Sequence, residues 1–172
     1  AGARPHKGLI YLIKAAAELS DIKDIHILLI GSDLDKEVYI ANEIEKSGME
    51  DRIKVTGYRS DVPQIISACD VLVHPSIRKE GLPRVILESL AGGTPVIASS
   101  IEGSMEIIDD GFNGYIVEVK DYKGIAKKIR ELYESPKQLK DLSDNCRYTI
   151  ENKMSHKITA EKYIEYFESL LK

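Results

Sequence analysis

The sequence predicts an α/β fold built on a doubly wound parallel sheet, and three observations predict it. Short β-branched apolar runs alternate with segments of helical period, the pattern of a parallel sheet with helices on both faces. The runs are continuous rather than alternating in polarity, as strands are when both faces are covered. Small and turn-forming residues follow the runs, at Gly31-Ser32, Gly57, Pro75-Ser76 and Ser99-Ser100. They therefore gather on the carboxyl edge, where open α/β sheets bind ligands.

Residues 25–30, 53–56, 71–73, 96–98 and 115–119 read as strands. Residues 9–20, 35–47, 62–68, 84–91 and 105–109 read as the helices between them. The last third adds extra C-terminal helices. Asp121 is placed to cap one whose apolar positions, Ile125, Ile129, Leu132 and Tyr133, keep a 3.6 period. Ser135-Pro136 starts another, with Leu139 and Leu142 on one side. Ser155 caps the last, where Ile158, Tyr163, Ile164, Phe167 and Leu171 form a stripe.

The chain has 172 residues, 43% hydrophobic and 30% charged, which fits one globular domain over residues 1–172 with a substantial core. Its net charge of −4 argues against a nucleic-acid partner. No apolar run approaches the roughly 18 residues that span a bilayer. Cys69 and Cys146 are far apart and read as small buried residues, and no Cys/His spacing suggests a metal site. A cytoplasmic setting follows as the expectation.

The most informative stretch is Lys79-Glu80-Gly81-Leu82-Pro83-Arg84-Val85-Ile86-Leu87-Glu88-Ser89-Leu90. It follows Val71-Leu72-Val73-His74-Pro75-Ser76 and opens a helix with Val85, Leu87, Leu90 and Ala91 as its apolar members. Pro83 is expected as the first helical residue. Glu80 then lies in the loop after a strand, and Glu88 about a turn and a half into the helix. Between them a Gly-Leu-Pro turn stands at a helix N-terminus, where free N–H groups and the dipole favour anions. This layout suits a phosphorylated, hydroxyl-rich ligand: amides for the phosphates, carboxylates for the hydroxyls.

These residues resemble the E-x7-E signature of the GT-B glycosyltransferases, in particular the retaining group 1 enzymes (family 4). The resemblance continues, in the family's order, through Lys7-Gly8 with Leu9, Leu12, Ile13 and Ala15, then Ile27 to Gly31, Ile53 to Tyr58, and Asp70 to Ser76. Gly93 to Ser99 and Glu106 to Gly114 complete the series. It implies a Rossmann-like C-terminal half of a GT-B fold, the half that binds a nucleoside-diphosphate sugar. It further implies transfer of the sugar to a glycan or lipid-linked acceptor in polysaccharide or cell-envelope assembly. The acceptor would be held by a separate N-terminal domain, and the whole enzyme would associate peripherally with the inner face of a membrane. No cofactor or metal is implied. Asp33-Leu34-Asp35 has the spacing of a metal motif but reads as a helix cap.

By the same resemblance Glu80 and Lys7 are the catalytic candidates. Lys7 would neutralise the leaving diphosphate and Glu80 would contact sugar hydroxyls near the reacting carbon. Glu88 would accept from the ribose hydroxyls, a contact that suits a carboxylate. Gly81, Leu82 and Pro83 would line the donor through their backbone, with Pro83 offering no N–H. Tyr58 and Arg59 are candidates for the border of the base. Arg84 either adds charge near the phosphates or faces water. His74 sits on the ligand edge, where a lone histidine is more often structural.

Two departures stand against the pattern. The family's second cation falls on Gly2, leaving Arg4 as the substitute. A strand expected ahead of Lys7, in mid-sheet, has only Ala1-Gly2-Ala3 before Arg4. Gly2 at that position and the absent N-terminal domain keep open an alternative, a degenerate or isolated nucleotide-binding GT-B half without transferase activity. Glu102-Gly103-Ser104 also replaces the family's Gly-Gly pair, which predicts a looser approach of that loop to the donor.

Overall fold

A computed structural model describes residues 4–171. Gly2 therefore lies outside the described residues. Five parallel strands alternate with helices. The order is α1 (Leu9–Ala17), β1 (Ile27–Ile30), α2 (Val38–Ser47), β2 (Ile53–Thr56), α3 (Val62–Ser67), β3 (Leu72–His74) and α4 (Arg84–Gly92). It continues with β4 (Val96–Ser99), α5 (Glu102–Met105), β5 (Gly114–Val117), α6 (Tyr122–Glu134), α7 (Pro136–Thr149) and α8 (His156–Leu170). The strands pair as β1–β2, with Ile27 opposite Ile53, and as β3–β4–β5, with Leu72 opposite Val96 and Val96 opposite Gly114. Among the described residues no register joins the pair to the trio.

Alternation along β3, β4 and β5 buries both faces. Val73, Ile97, Tyr115 and Val117 join Leu29, α1, α2 and α6 in one apolar cluster. Leu72, Val96, Ala98 and Ile116 join Ile86, Leu90 and Cys146 in the other. Strands β3, β4 and β5 thus send successive side chains to opposite layers, which explains their apolar runs, whereas β1 and β2 leave Leu28 and Lys54 exposed on their second face.

Several elements end where side chains take over the backbone. Helix α1 stops at Ala17 rather than near residue 20. Arg130 donates to the Glu18 carbonyl, and Arg52 donates to those of Ser20 and Ile22. The helix expected over 35–47 is broken. Asp33 adopts φ 61° before a short turn (Leu34–Lys36), and α2 begins only after the extended Glu37. The helix expected over 105–109 is displaced to α5. Asn113 accepts from the Asp109 N–H at 3.0 Å and donates to the Ile107 carbonyl at 3.1 Å, so that segment is held as a loop.

Pro83 is the N-cap of α4 and not its first helical residue; its carbonyl accepts from Ile86 N–H at 3.0 Å. The buried side of α4 is Ile86, Ser89 and Leu90, while Ala91 is exposed and Val85 and Leu87 are half-buried. Ser89 belongs inside because its hydroxyl donates to the Thr94 carbonyl.

The expected caps Asp121 and Ser155 form, and Ser135, read as a helix start, also proves to be a cap. Asp121 accepts from Gly124, Ser135 from Gln138 and Ser155 from Ile158. Tyr133 is exposed rather than part of the packed stripe, and its hydroxyl donates to Asp24. Cys146 is buried but Cys69 is exposed, because it follows α3 with its thiol against the Ile65 carbonyl. Helix α8 buries no residue, and Tyr163, Ile164, Tyr166, Phe167 and Leu170 all face outward. Among the described residues no helix is long and apolar enough to cross a membrane.

Removal of residues 156–172 is expected to change the unfolding free energy by about 1 kcal/mol or less, since surface groups contribute little. Ile13→Ala, at a fully buried position of α1, is expected to cost about 2–5 kcal/mol by cavity formation. Urea unfolding of the two variants checks both.

Candidate functional site

Parallel pairing puts the carboxyl ends of β3, β4 and β5 on one edge, and the turn Pro5–Lys7 docks there, against the residues that follow β3. The His6 carbonyl accepts from the Ile77 N–H at 2.8 Å and from the Ser76 hydroxyl at 3.1 Å. Gly8 makes this approach possible. Its φ is +66°, and a Cβ there would overlap the Pro75 carbonyl. Only glycine tolerates both conditions.

Docking of the turn brings Lys7 Nζ to 2.7 Å from Glu80 Oε2, an ion pair formed across 73 residues of sequence. The single proton of the Ser76 hydroxyl is shared between the His6 carbonyl and Glu80 Oε1. His74 Nε2 stands 3.7 Å from the same oxygen. Burial pushes the Glu80 pKa up, but the hydrogen bonds from Lys7 and Ser76 outweigh it and hold the carboxyl below its ordinary value. Burial pushes the His74 pKa down, against the pull of Glu80, so this imidazole is neutral near pH 7.

This arrangement leaves binding capacity on both partners. An ammonium has three donors, and Lys7 uses one on Glu80. A carboxylate has about four lone-pair sites, of which Lys7 and Ser76 take two. Beside them α4 begins, with first-turn N–H groups that have no acceptor inside the helix. The edge can therefore hold an anion against Lys7 and hydroxyls against Glu80 without breaking the pair.

A second loop packs against the Glu80 segment. Gly103 of α5 packs so closely that a Cβ would overlap the Gly81 carbonyl. Lys79 pairs with Glu102 at 2.8 Å, both exposed. The Glu102-Gly103-Ser104 loop therefore sits directly on the Glu80 loop.

The remaining candidates are spread along the edge. Glu88 is half-buried on α4, 3.7 Å from Arg84, whose side chain is 89% exposed and faces water. Gly81 and Leu82 are exposed and Pro83 is buried. Tyr58 is 77% exposed, and Arg59 forms a bidentate pair with Asp61 at 2.5 and 2.8 Å. Arg4 is exposed and joins the turn through its carbonyl, which accepts from Lys7 N–H at 2.9 Å. Asp33 pairs with Lys36 at 2.8 Å. The structure thus unites Lys7 and Glu80 and adds Ser76 and His74, which the sequence reading left out of the site. Their spacing held the signal: residues two apart on an extended chain share a face.

A parallel α/β fold with a helix start and a half-buried carboxylate–lysine pair on one strand-end edge has the layout of the open α/β sheets that bind ligands beyond their strand ends. The sequence profile of the family described as glycosyl transferases group 1 matches residues 1–149, and the chain belongs to that family. It is 30% identical over 151 residues to the UDP-Gal:alpha-D-GlcNAc-diphosphoundecaprenol alpha-1,3-galactosyltransferase of Escherichia coli, covering 86% of this chain and 38% of that protein. The crystal structure of Anabaena Alr3699/HepE in complex with UDP superposes with a TM-score of 0.90 at 26% identity, covering 98% of this chain and 47% of that one. Its complex with UDP-glucose gives a TM-score of 0.85 at 27% identity, with the same coverage of 98% and 47%. The chain spans less than half the length of these relatives.

Two outcomes test the site's physics. Gly8→Ala is expected to destabilise the fold by more than about 2 kcal/mol, adding backbone strain to a steric overlap; urea unfolding reads it. Acid titration of stability is expected to fall in two stages. The His74 contribution is complete above the ordinary value of 6.5 and declines as pH falls below it towards the depressed folded value. The Glu80 contribution is complete above 4.5 and is lost as pH falls through its lower folded value. Glu80→Gln should shrink the second stage and enlarge the first, because the pull of Glu80 that partly offsets the burial of His74 is lost.

Proposed function

We propose that this chain is the donor-binding half of a retaining glycosyltransferase that takes its sugar from a uridine-diphosphate sugar. The observation that carries the reading is the Lys7–Glu80 pair, held at 2.7 Å beside the start of α4. Lys7 and the α4 N-terminus neutralise the charge that grows on the leaving diphosphate, the interaction that most lowers the barrier. Because these groups supply the positive charge, the mechanism needs no metal. Glu80 orients the sugar through its hydroxyls, and Glu88 anchors the ribose, so remote binding energy fixes the reacting geometry. Tyr58 borders the base.

The choice of uridine is supported by the structural neighbour solved with UDP and with UDP-glucose. The choice of a lipid-linked acceptor is supported by the Escherichia coli relative, whose name specifies a diphosphoundecaprenol acceptor. An acceptor of that kind places the whole enzyme at a membrane surface, in envelope polysaccharide assembly, with the acceptor held by a second domain.

Calorimetric titration of the chain with UDP, GDP and ADP tests this. UDP is expected to bind in the micromolar to low-millimolar range, equally with and without magnesium. Glu88→Ala should weaken it on the order of tenfold, the worth of a charged hydrogen bond. Equal affinity for all three nucleotides, or none for UDP, would reject the reading.

A further inference from the structure

His74 and Ser76 leave the end of β3 on the same side and converge on one atom, Glu80 Oε1. The serine makes a hydrogen bond to it. The histidine stops at 3.7 Å, beyond hydrogen-bonding range. His74 is only 7% exposed, and its Nδ1 is buried without a partner among the described residues. A buried polar atom left unpaired is costly, and a bare lone pair is the lesser cost than an orphaned N–H. A carboxylate facing Nε2 attracts the proton to that nitrogen. Both considerations select the tautomer with Nε2–H towards Glu80 and the lone pair on Nδ1.

The charged groups around this pair are few. Lys7 comes from the turn before α1, and Lys79 and Glu102 form a separate exposed pair on the flanking loops. As long as Lys7 lies at 2.7 Å from Oε2, the carboxylate is fully compensated and does not need the imidazole. An anion arriving at Lys7 changes that balance, because the ammonium turns part of its charge towards the newcomer. Glu80 is then short of one donor at the moment when it must hold the sugar. The nearest donor is His74 Nε2–H, a few tenths of an ångström out of reach.

Resting on the donor-binding reading above, we propose that His74 is a positioning residue whose Nε2–H is a reserve donor, closing on Glu80 when Lys7 engages the donor's diphosphate. The imidazole does not touch substrate. It fixes the carboxylate that does, and being neutral it adds no charge that would compete with Lys7 for the phosphates. Orientation of a ligating group by a buried partner is a general device of polar sites.

The test has a ligand-free part and a ligand-bound part. In Lys7→Met, nitrogen-15 NMR of the histidines should show His74 as the Nε2–H tautomer, with that proton shifted downfield and protected from exchange relative to the wild-type chain. Addition of UDP to the wild type should produce the same shift. In calorimetry, His74→Leu should weaken UDP-glucose about tenfold while leaving UDP within about threefold, since only the sugar depends on Glu80. His74→Gln, whose amide reaches the Nε2 position, should restore most of the loss; His74→Asn, which reaches only the Nδ1 position, should not. A proton on Nδ1, no shift in Lys7→Met, equal losses for UDP and UDP-glucose, or rescue by Asn as good as by Gln would each overturn the proposal. A wild-type chain that binds neither UDP nor UDP-glucose would reject the donor reading and the role built on it, while the Lys7→Met spectrum would still decide whether the hydrogen bond forms. Should His74→Leu fail to fold, the Gln and Asn comparison and the Lys7→Met spectrum carry the decision.

Discussion

The turn carrying Lys7 reaches the sheet edge because Gly8 leaves room for the Pro75 carbonyl and adopts a left-handed conformation. From that single close approach follow the two hydrogen bonds onto the His6 carbonyl and the ion pair from Lys7 to Glu80. A larger residue at position 8 would lift the turn, and the lysine with it. Glu80 would then lose the cation that holds its pKa down, leaving burial to raise it. The electrostatics of the edge are thus set by a steric fact about one backbone atom.

A second close approach acts at the other end of the same segment. Gly103 lies against the Gly81 carbonyl, as Gly8 lies against that of Pro75. The segment from Pro75 to Gly81 is therefore gripped between two glycines from different elements. Backbone-to-backbone contacts of this kind leave little room for adjustment, since interiors are close-packed and carbonyls cannot rotate away as side chains can. The loop bearing Glu80 is accordingly placed by main-chain geometry, and the Lys79–Glu102 pair, being exposed, adds little to it.

Strands β3 and β4 were legible because both faces are covered. Val73 and Ile97 turn to one layer and Leu72, Val96 and Ala98 to the other, so β3 and β4 begin as unbroken apolar runs, whereas β2 alternates around the exposed Lys54. Family resemblance brought Lys7 and Glu80 forward as partners of one ligand, although not as partners of each other. What stayed hidden depended on three-dimensional substitution of one polar group for another. Asn113 satisfies the backbone at 107–109 and abolishes a helix that periodicity suggested. Arg52 and Arg130 hold the chain just after α1 as a turn, binding the carbonyls of Glu18, Ser20 and Ile22 from distant positions. Ser89 hides in an apolar face because Thr94 offers an acceptor. His74 and Ser76 were visible as residues of the edge, but their aim at one oxygen became apparent only with the coordinates.

The two cysteines have opposite fates, and the difference has a practical side. Cys146 is buried, with its thiol pushed up to about 12 by desolvation. Cys69 is exposed just ahead of β3, at the amino end of the strands, its thiol raised above the ordinary value by burial of its inner side and by Asp70. Thiolate is the reactive form, so a maleimide at mildly alkaline pH would attach at one place only. That place is on the rim opposite the Lys7–Glu80 pair. The native sequence therefore comes with a built-in anchor for a dye, a spin label or a surface tether, one that leaves the edge carrying Glu80 open to solution.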